Sequence, residues 1–314
     1  MSASPDDTTL FSPRNLGAFL LVSVIWGGTW LVIKDQLGTV PAQWSITYRF
    51  VVACLGMFAL AKLRGESLAL AKGGQRWAML LGITQFTLNF TFVYNAEHFI
   101  TSGLVAVMFA LLVVPNALLG RFFLGQRITP AFVLGSSIAA VGVALLFAQE
   151  YRASPATLGE VLLGAGLAVG GILSASAANI AQAMEGAKRQ PLLTLLAWSM
   201  LWGVAINAAL ALVTVGPPSF DARPSYVLGI VYLGLLGSVV TFPLYYGLVR
   251  KVGAGQAAYT SVIVPVVAMV LSTLFEGYRW GLLPAAGAVL VLGGMVVALK
   301  GRSAVPPRRA TPEP

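Results

Sequence analysis

The residue with the clearest claim to chemistry is Arg49, the one basic residue well inside an apolar stretch, about two turns from its nearer end. A charge at bilayer depth is costly unless it meets water, a partner or a ligand. Two roles fit it: a group in a solute path, or a structural pin bonding to carbonyls or an acid at the end of its helix. Glu97, Glu160 and Glu276 fall at the ends of apolar stretches, where the plain expectation is a carboxylate solvated at a helix end. A proton-coupled carrier needs a titratable residue in its path, and none of the three is placed at mid-depth. His98 precedes Ser102 by four positions, close enough to share a helical face. With no third orienting group and no nucleophile motif around the serine, the pair does not read as a catalytic dyad. Cys54 is the sole cysteine and His98 the sole histidine, which excludes an intrachain disulfide, a cysteine metal site and an H-E-x-x-H motif. The chain has no G-x-x-x-x-G-K-[ST] loop and hydrolyses no nucleotide by that route. No catalytic residue, metal or cofactor is expected.

Binding is better served by polar and aromatic residues deep in the apolar stretches. Pockets for small organic solutes are mostly apolar, with a few placed polar groups. The candidates are Trp26; Gln85, Asn89 and Tyr94; Ser174 with Asn179; Trp198 and Trp202, one turn apart; Tyr245 and Tyr246; and Tyr259 with Thr260. Each has a plainer reading. Isolated Asn and Ser often bond between helices, and Trp26, Trp198 and Trp202 serve equally for packing. Trp44, Trp77 and Trp280, at stretch ends, read as interfacial belt residues. Pro115, Pro243 and Pro265 break the backbone ladder inside apolar stretches and free carbonyls for a ligand, a hinge or a simple kink. Gly27-Gly28 and Gly166-x-x-x-Gly170 read as close-approach positions.

The elements that must position these residues follow from composition. The chain has 314 residues, 57% hydrophobic and 10% charged, against roughly 25% charged in soluble domains. So few charges cannot cover a water-facing surface. The apolar residues form runs of about twenty, enough to span a bilayer as helices. They are continuous rather than alternating, which excludes barrel strands. Ten spans are expected: Leu16–Ile33, Gln43–Lys62, Trp77–Asn95, Ile100–Gly120, Ile128–Ala148, Leu158–Ala183, Pro191–Val215, Tyr226–Val249, Gly255–Phe275 and Gly281–Leu299. The net charge of +9 sets topology rather than nucleic-acid binding, because the basic residues lie between spans. With the N-terminus cytoplasmic, 15 Lys and Arg fall inside and 4 outside. Both termini are then cytoplasmic. Asp6 and Asp7 stand where a cationic signal-peptide region would be, and no cleaved leader is expected.

The two halves repeat. A shift of 150 residues sets Pro115 on Pro265 and Gln126 on Glu276 without a gap. Gly27-Gly28 corresponds to Gly170-Gly171, and small residues recur in the last helix of each half, at Gly135 and Gly142 and at Gly287, Gly293 and Gly294. Five helices per half is an odd number, so the second half enters from the opposite side. Such inverted repeats place a substrate site between them near mid-membrane. The expected organisation is a cytoplasmic segment over 1–15, repeats over 16–148 and 158–299, and a disordered tail over 300–314.

Together these residues resemble the drug/metabolite transporter superfamily, in its ten-helix EamA-type branch. The resemblance is carried by Trp26-Gly27-Gly28, by Arg49, by Thr101–Ala106 leading to Pro115, by Val252–Ala258 leading to Pro265, and by Phe275-Glu276. It covers about Leu16 to Leu299. Gln126 departs from it, standing where the family usually has Glu. The resemblance implies an all-helical inner-membrane exporter of small metabolites, most like the bacterial amino-acid and metabolite exporters; a carrier of purines, sugars or drugs, a channel and a membrane-embedded enzyme stand as the alternatives. It implies a solute and lipid as partners, no nucleic acid, and a monomer or weak homodimer. Arg49 recurs in the family regardless of substrate, which favours its structural role; Pro115, Pro265 and Glu276 join it as structural or gating positions.

Overall fold

The computed structural model describes residues 12–153, 157–257 and 260–303. The first eleven residues, Tyr259 and the end of the expected tail lie outside them. The described residues are helical, with no strand beyond a single isolated bridge between Leu37 and Val40. In order the long helices are α1 Pro13–Gln36, α2 Ala42–Leu63, α3 over 74–96, α4 Ser102–Leu124, α5 Pro130–Ala153, α6 Leu158–Ala183, α7 Leu192–Thr214, α8 over 224–257, α9 Thr260–Phe275 and α10 Leu282–Ser303. Among the described residues seven are long and apolar enough to cross a bilayer, and Ile263–Phe275 and Leu282–Ala298 are shorter apolar helices.

Local chemistry sets the ends. Pro13 and Pro224 open α1 and α8, where a missing N–H costs nothing. Thr157 and Glu160 cap α6 reciprocally. The Glu160 carboxylate accepts from the Thr157 N–H at 2.7 Å, and the Thr157 hydroxyl accepts from the Glu160 N–H at 3.3 Å. Glu160 is therefore spent on a cap. α4 stops at Gly125, whose φ of 64° is a conformation that side chains resist.

Glycine controls how closely the helices meet. On α5 and α10, Gly135, Gly142, Gly287 and Gly294 face backbone: a Cβ at Gly142 would sit 2.5 Å from the Gly287 carbonyl oxygen. Gly27 of α1 lies against Val267 of α9, and Gly170 and Gly171 of α6 lie against Phe92 and Phe109. Gly166 faces open space, so only Gly170 of that expected pair is a contact.

Two helices are not regular. α3 and α8 each widen to π-helix, over Gly82–Asn89 and Tyr232–Val240. In the second, the Ser238 hydroxyl donates to the carbonyl five residues back, Leu233. Such widened turns gather at functional sites; the first lines the central cavity with Gln85 and Asn89, and the second bonds to two lining residues, Gly237 to Trp26 and Ser238 to Arg49.

Candidate functional site

A cavity of about 140 Å³ lies at the centre of the bundle. Among the described residues its walls come from α1, α2, α3, α4, α6, α8 and α9, and α5, α7 and α10 supply none. α1 presents Trp26 and Trp30, α3 presents Gln85 and Asn89, and α8 presents Phe242, Tyr245 and Tyr246. Trp26 lies 5.0 Å from the Tyr245 ring and 5.6 Å from Phe242, and its indole N–H donates to the Gly237 carbonyl at 3.3 Å. That carbonyl belongs to the widened turn of α8. Trp30 packs on Phe109 at 5.1 Å. The lining is thus mostly apolar with an aromatic cluster, in which Trp26 meets Phe242 edge to face.

The polar atoms are few and specific. The Tyr246 hydroxyl donates to Gln85 Oε1 at 3.4 Å. Asn179 donates to Asn116 at 3.5 Å, across from α6 to α4. Asn89 Oδ1 is buried and accepts no hydrogen bond. Arg49, 2% exposed, reaches the cavity from α2. Its guanidinium lies 4.3 Å from the Phe90 ring and 5.3 Å from Phe50, and one amino group donates to Ser238 at 3.4 Å. Nε and Nη1 meet no geometric acceptor. The ion pairs among the described residues are Glu185 with Lys188 and Asp221 with Arg223, so no acid neutralises Arg49.

The expected site residues divide. Trp26, Arg49, Gln85, Asn89, Tyr245, Tyr246 and Pro265 come together around the cavity. Pro115 does not line it, although its neighbour Asn116 does. Tyr94 stands behind Arg49: its hydroxyl faces the guanidinium and donates to Gln36 at 3.1 Å. Ser174 turns back on its own helix and donates to the Gly170 carbonyl at 2.9 Å. Trp198 and Trp202 are elsewhere. Their indole N–H groups donate to the Leu68 carbonyl and the Gln75 side chain, and Trp202 is on the surface. Trp44, expected in an interfacial belt, is instead buried, with its N–H on the Gly216 carbonyl.

The acids at helix ends also differ from expectation. Glu97 is fully buried rather than solvated. Glu276 accepts from the Ser102 hydroxyl at 2.5 Å, so Ser102 serves Glu276 and not His98.

Reading the sequence missed Trp30, Phe90, Phe109, Asn116 and Phe242 as lining residues. Trp30 lies one turn beyond Trp26, and Asn116 and Phe242 each adjoin an in-span proline, so three of the five carried a usable signal.

The sequence profile of the EamA-like transporter family matches residues 15–148 and again 162–300. The protein PagO of Salmonella typhimurium is 25% identical over 267 residues, covering 83% of this chain and 84% of its own. A probable amino-acid metabolite efflux pump of Escherichia coli is 26% identical over 298 residues, covering 91% of this chain and 96% of its own. One crystal structure, 20% identical, superposes with a TM-score of 0.68 over 92% of this chain and 98% of that one, a likeness of fold.

Proposed function

Because the chain belongs to the EamA-like transporter family, we propose that it is a secondary carrier exporting small organic metabolites, foremost neutral or aromatic amino acids, across a bacterial inner membrane. In this reading ten helices form two inverted five-helix repeats, both termini are cytoplasmic, and the solute passes by alternating access through the cavity between them. The repeats are supported by the profile matching twice. They are supported also by the two widened turns, whose starts at Gly82 and Tyr232 are 150 residues apart, the shift that aligns Pro115 with Pro265. The packing has the same symmetry: α1 meets α9 as α6 meets α4, and α2 meets α8 as α7 meets α3.

The observation that carries the substrate class is an unneutralised guanidinium in an aromatic cavity. Arg49 offers donors to a carboxylate, and the low dielectric around it makes that bond strong. Trp26, Phe242 and Tyr245 offer rings for an apolar or aromatic side chain. Asn89 Oδ1 offers an acceptor to an ammonium group, and the ring faces offer cation–π attraction. The relatives named as amino-acid metabolite efflux pumps agree with this class.

The test is counterflow in proteoliposomes. Saturable exchange of labelled phenylalanine or leucine is expected, and Arg49→Met is expected to lower it by at least about ten-fold, the worth of one charge-assisted bond. Exchange of sugars or purines without amino acids would overturn the substrate class, and unsaturable flux would mark a pore instead of a carrier.

A further inference from the structure

Beyond Trp30, Ile33 and Val93 the cavity ends where α1, α4 and α9 meet. Gly103 of α4 lies against Ser272 of α9, close enough that a Cβ would be 3.0 Å from the serine side chain. Ser102 bonds to Glu276, joining the start of α4 to the end of α9. The Lys34 ammonium at the end of α1 donates to the backbone carbonyl of Glu97. Between these contacts sits the Glu97 side chain, fully buried, with neither carboxyl oxygen accepting a hydrogen bond. The second oxygen of Glu276 and the Ser272 hydroxyl are likewise buried without partners.

An ionised carboxylate in that position would be far from equilibrium, since burying an unpaired charge costs more than neutralising it. The charges that face Glu97 are few. They are Lys34 and Glu276, with the neutral Tyr94 hydroxyl also near. Asp35 lines an outer groove with Lys34 and Glu276, and exposed His98 follows Glu97 in the loop. With Lys34 charged and both glutamates ionised, the triad would carry one net negative charge. One proton brings it to neutrality. Desolvation holds the Glu97 carboxyl well above the ordinary carboxylate range, Lys34 opposing this and Glu276 adding to it. The adjacent ammonium disfavours a metal cation in the same place.

We propose that Glu97, with Lys34 and Glu276, is a proton-binding site at the closed end of the cavity, through which the carrier exchanges protons for its solute. The outer groove along Lys34, Asp35, Tyr232 and Glu276 opens a route to Glu276 from outside the bundle. Tyr94, whose hydroxyl donates to Gln36 at 3.1 Å, is near enough to feel both Arg49 and Glu97, so a carboxylate arriving on Arg49 and a charge on Glu97 disfavour each other across it. Loss of the proton leaves the join between α1, α4 and α9 with an uncompensated charge and favours its opening. What the proton drives rests on the transport reading above; that a proton binds does not.

Two measurements on the full chain test this. In purified protein the infrared C=O stretch of a protonated carboxyl is expected to persist at neutral pH and vanish on alkalinisation. The band is expected to be absent in Glu97→Gln, and its midpoint to move to higher pH in Lys34→Met, which removes a cation. Loss of the band below neutral pH in the wild type, or an unchanged band in Glu97→Gln, would overturn the site. In vesicles with a lumen one pH unit more acidic, a neutral solute exchanged one for one is expected to concentrate up to about ten-fold, the ratio of proton activities. Glu97→Gln is expected to lose that accumulation while keeping counterflow within about two-fold, a change below a single hydrogen bond. Accumulation driven by sodium alone, or equal in Glu97→Gln and wild type, would refute proton exchange. Absence of counterflow in the wild type would fail the transport reading and leave the infrared result to decide the site.

Discussion

Asn89 and Trp198 show how far a single residue can be judged by its type. Both are polar-capable side chains deep in apolar helices, and the sequence makes them equal candidates. The structure separates them by the direction of one bond. Asn89 turns a buried, unpartnered oxygen to the cavity, whereas the Trp198 indole donates to the Leu68 carbonyl in a loop. Asn89→Ala is expected to weaken transport by about five-fold, the worth of one hydrogen bond to solute, with melting in detergent little changed. Tyr245→Ala, which removes a ring 5.0 Å from Trp26, is expected to weaken it further. Trp198→Phe is expected to leave flux per folded molecule as in the wild type. Normal flux in Asn89→Ala for every solute, or lost flux in Trp198→Phe, would reverse the assignment. Arg49 was legible because a charge in an apolar helix is conspicuous. Glu97 was not, because its position at a span end gives no sign that α1 and α9 close over it. Burial by distant elements leaves no local mark.

At the scale of elements, the sequence spoke clearly wherever one helix carried its own signal. Apolar runs, opening prolines and the cap of Thr157 with Glu160 are local, and most of the long helices lie close to their expected bounds, whereas α8 runs past Val249 to Ala257 and takes in Gly255, the expected start of the ninth span. The widened turns of α3 and α8 were invisible, since π-helix has no residue signature of its own and arises where neighbouring helices claim the carbonyls. Small-residue patterning could be read only in outline. Adjacent glycines on α10 make the point: a Cβ at Gly294 would lie 2.5 Å from the Gly135 carbonyl oxygen, whereas Gly293 faces open space. Gly294→Ala is therefore expected to destabilise the protein by about 1–3 kcal/mol, because backbone atoms on α5 cannot yield. Gly293→Ala is expected to be neutral or slightly stabilising, since alanine suits a helix better than glycine. A fall in detergent melting temperature for the first and none for the second checks the pairing. Equal behaviour would mean that α5 and α10 do not meet along this seam.

For the whole molecule the decisive quantity is the sidedness of charge. In the topology read from the sequence, fifteen Lys and Arg would fall on one side of the membrane and four on the other, a bias that orients short-looped helical proteins during insertion. The orientation also fixes what the two ends of the cavity face. If the termini are cytoplasmic, Lys34, Glu97 and Glu276 lie at the external end, where incoming protons would meet them. Arg250 and the turn Glu185–Lys188 then lie at the cytoplasmic end. The test is thiol labelling in a Cys54→Ser background, using sites the structure exposes. Cysteine at Arg152 or Ser219 is expected to react with an impermeant reagent in intact cells, and cysteine at Lys72 or Lys188 only after the membrane is opened. Asp221 is unsuitable despite its loop position, because it is buried and its carboxylate accepts from the Arg223 side chain at 2.6 Å. Arg152 and Ser219 sit in different halves, in the last turn of α5 and after α7. Their labelling from the same face tests the orientation, since two helices separate them, and the inversion is tested by Lys72 against Ser219: five helices separate the start of each half, and a parallel repeat would place the loops after α2 and α7 on one side. Labelling of Lys72 together with Ser219 from outside would establish the parallel arrangement and remove both the inverted repeat and the external placement of Glu97.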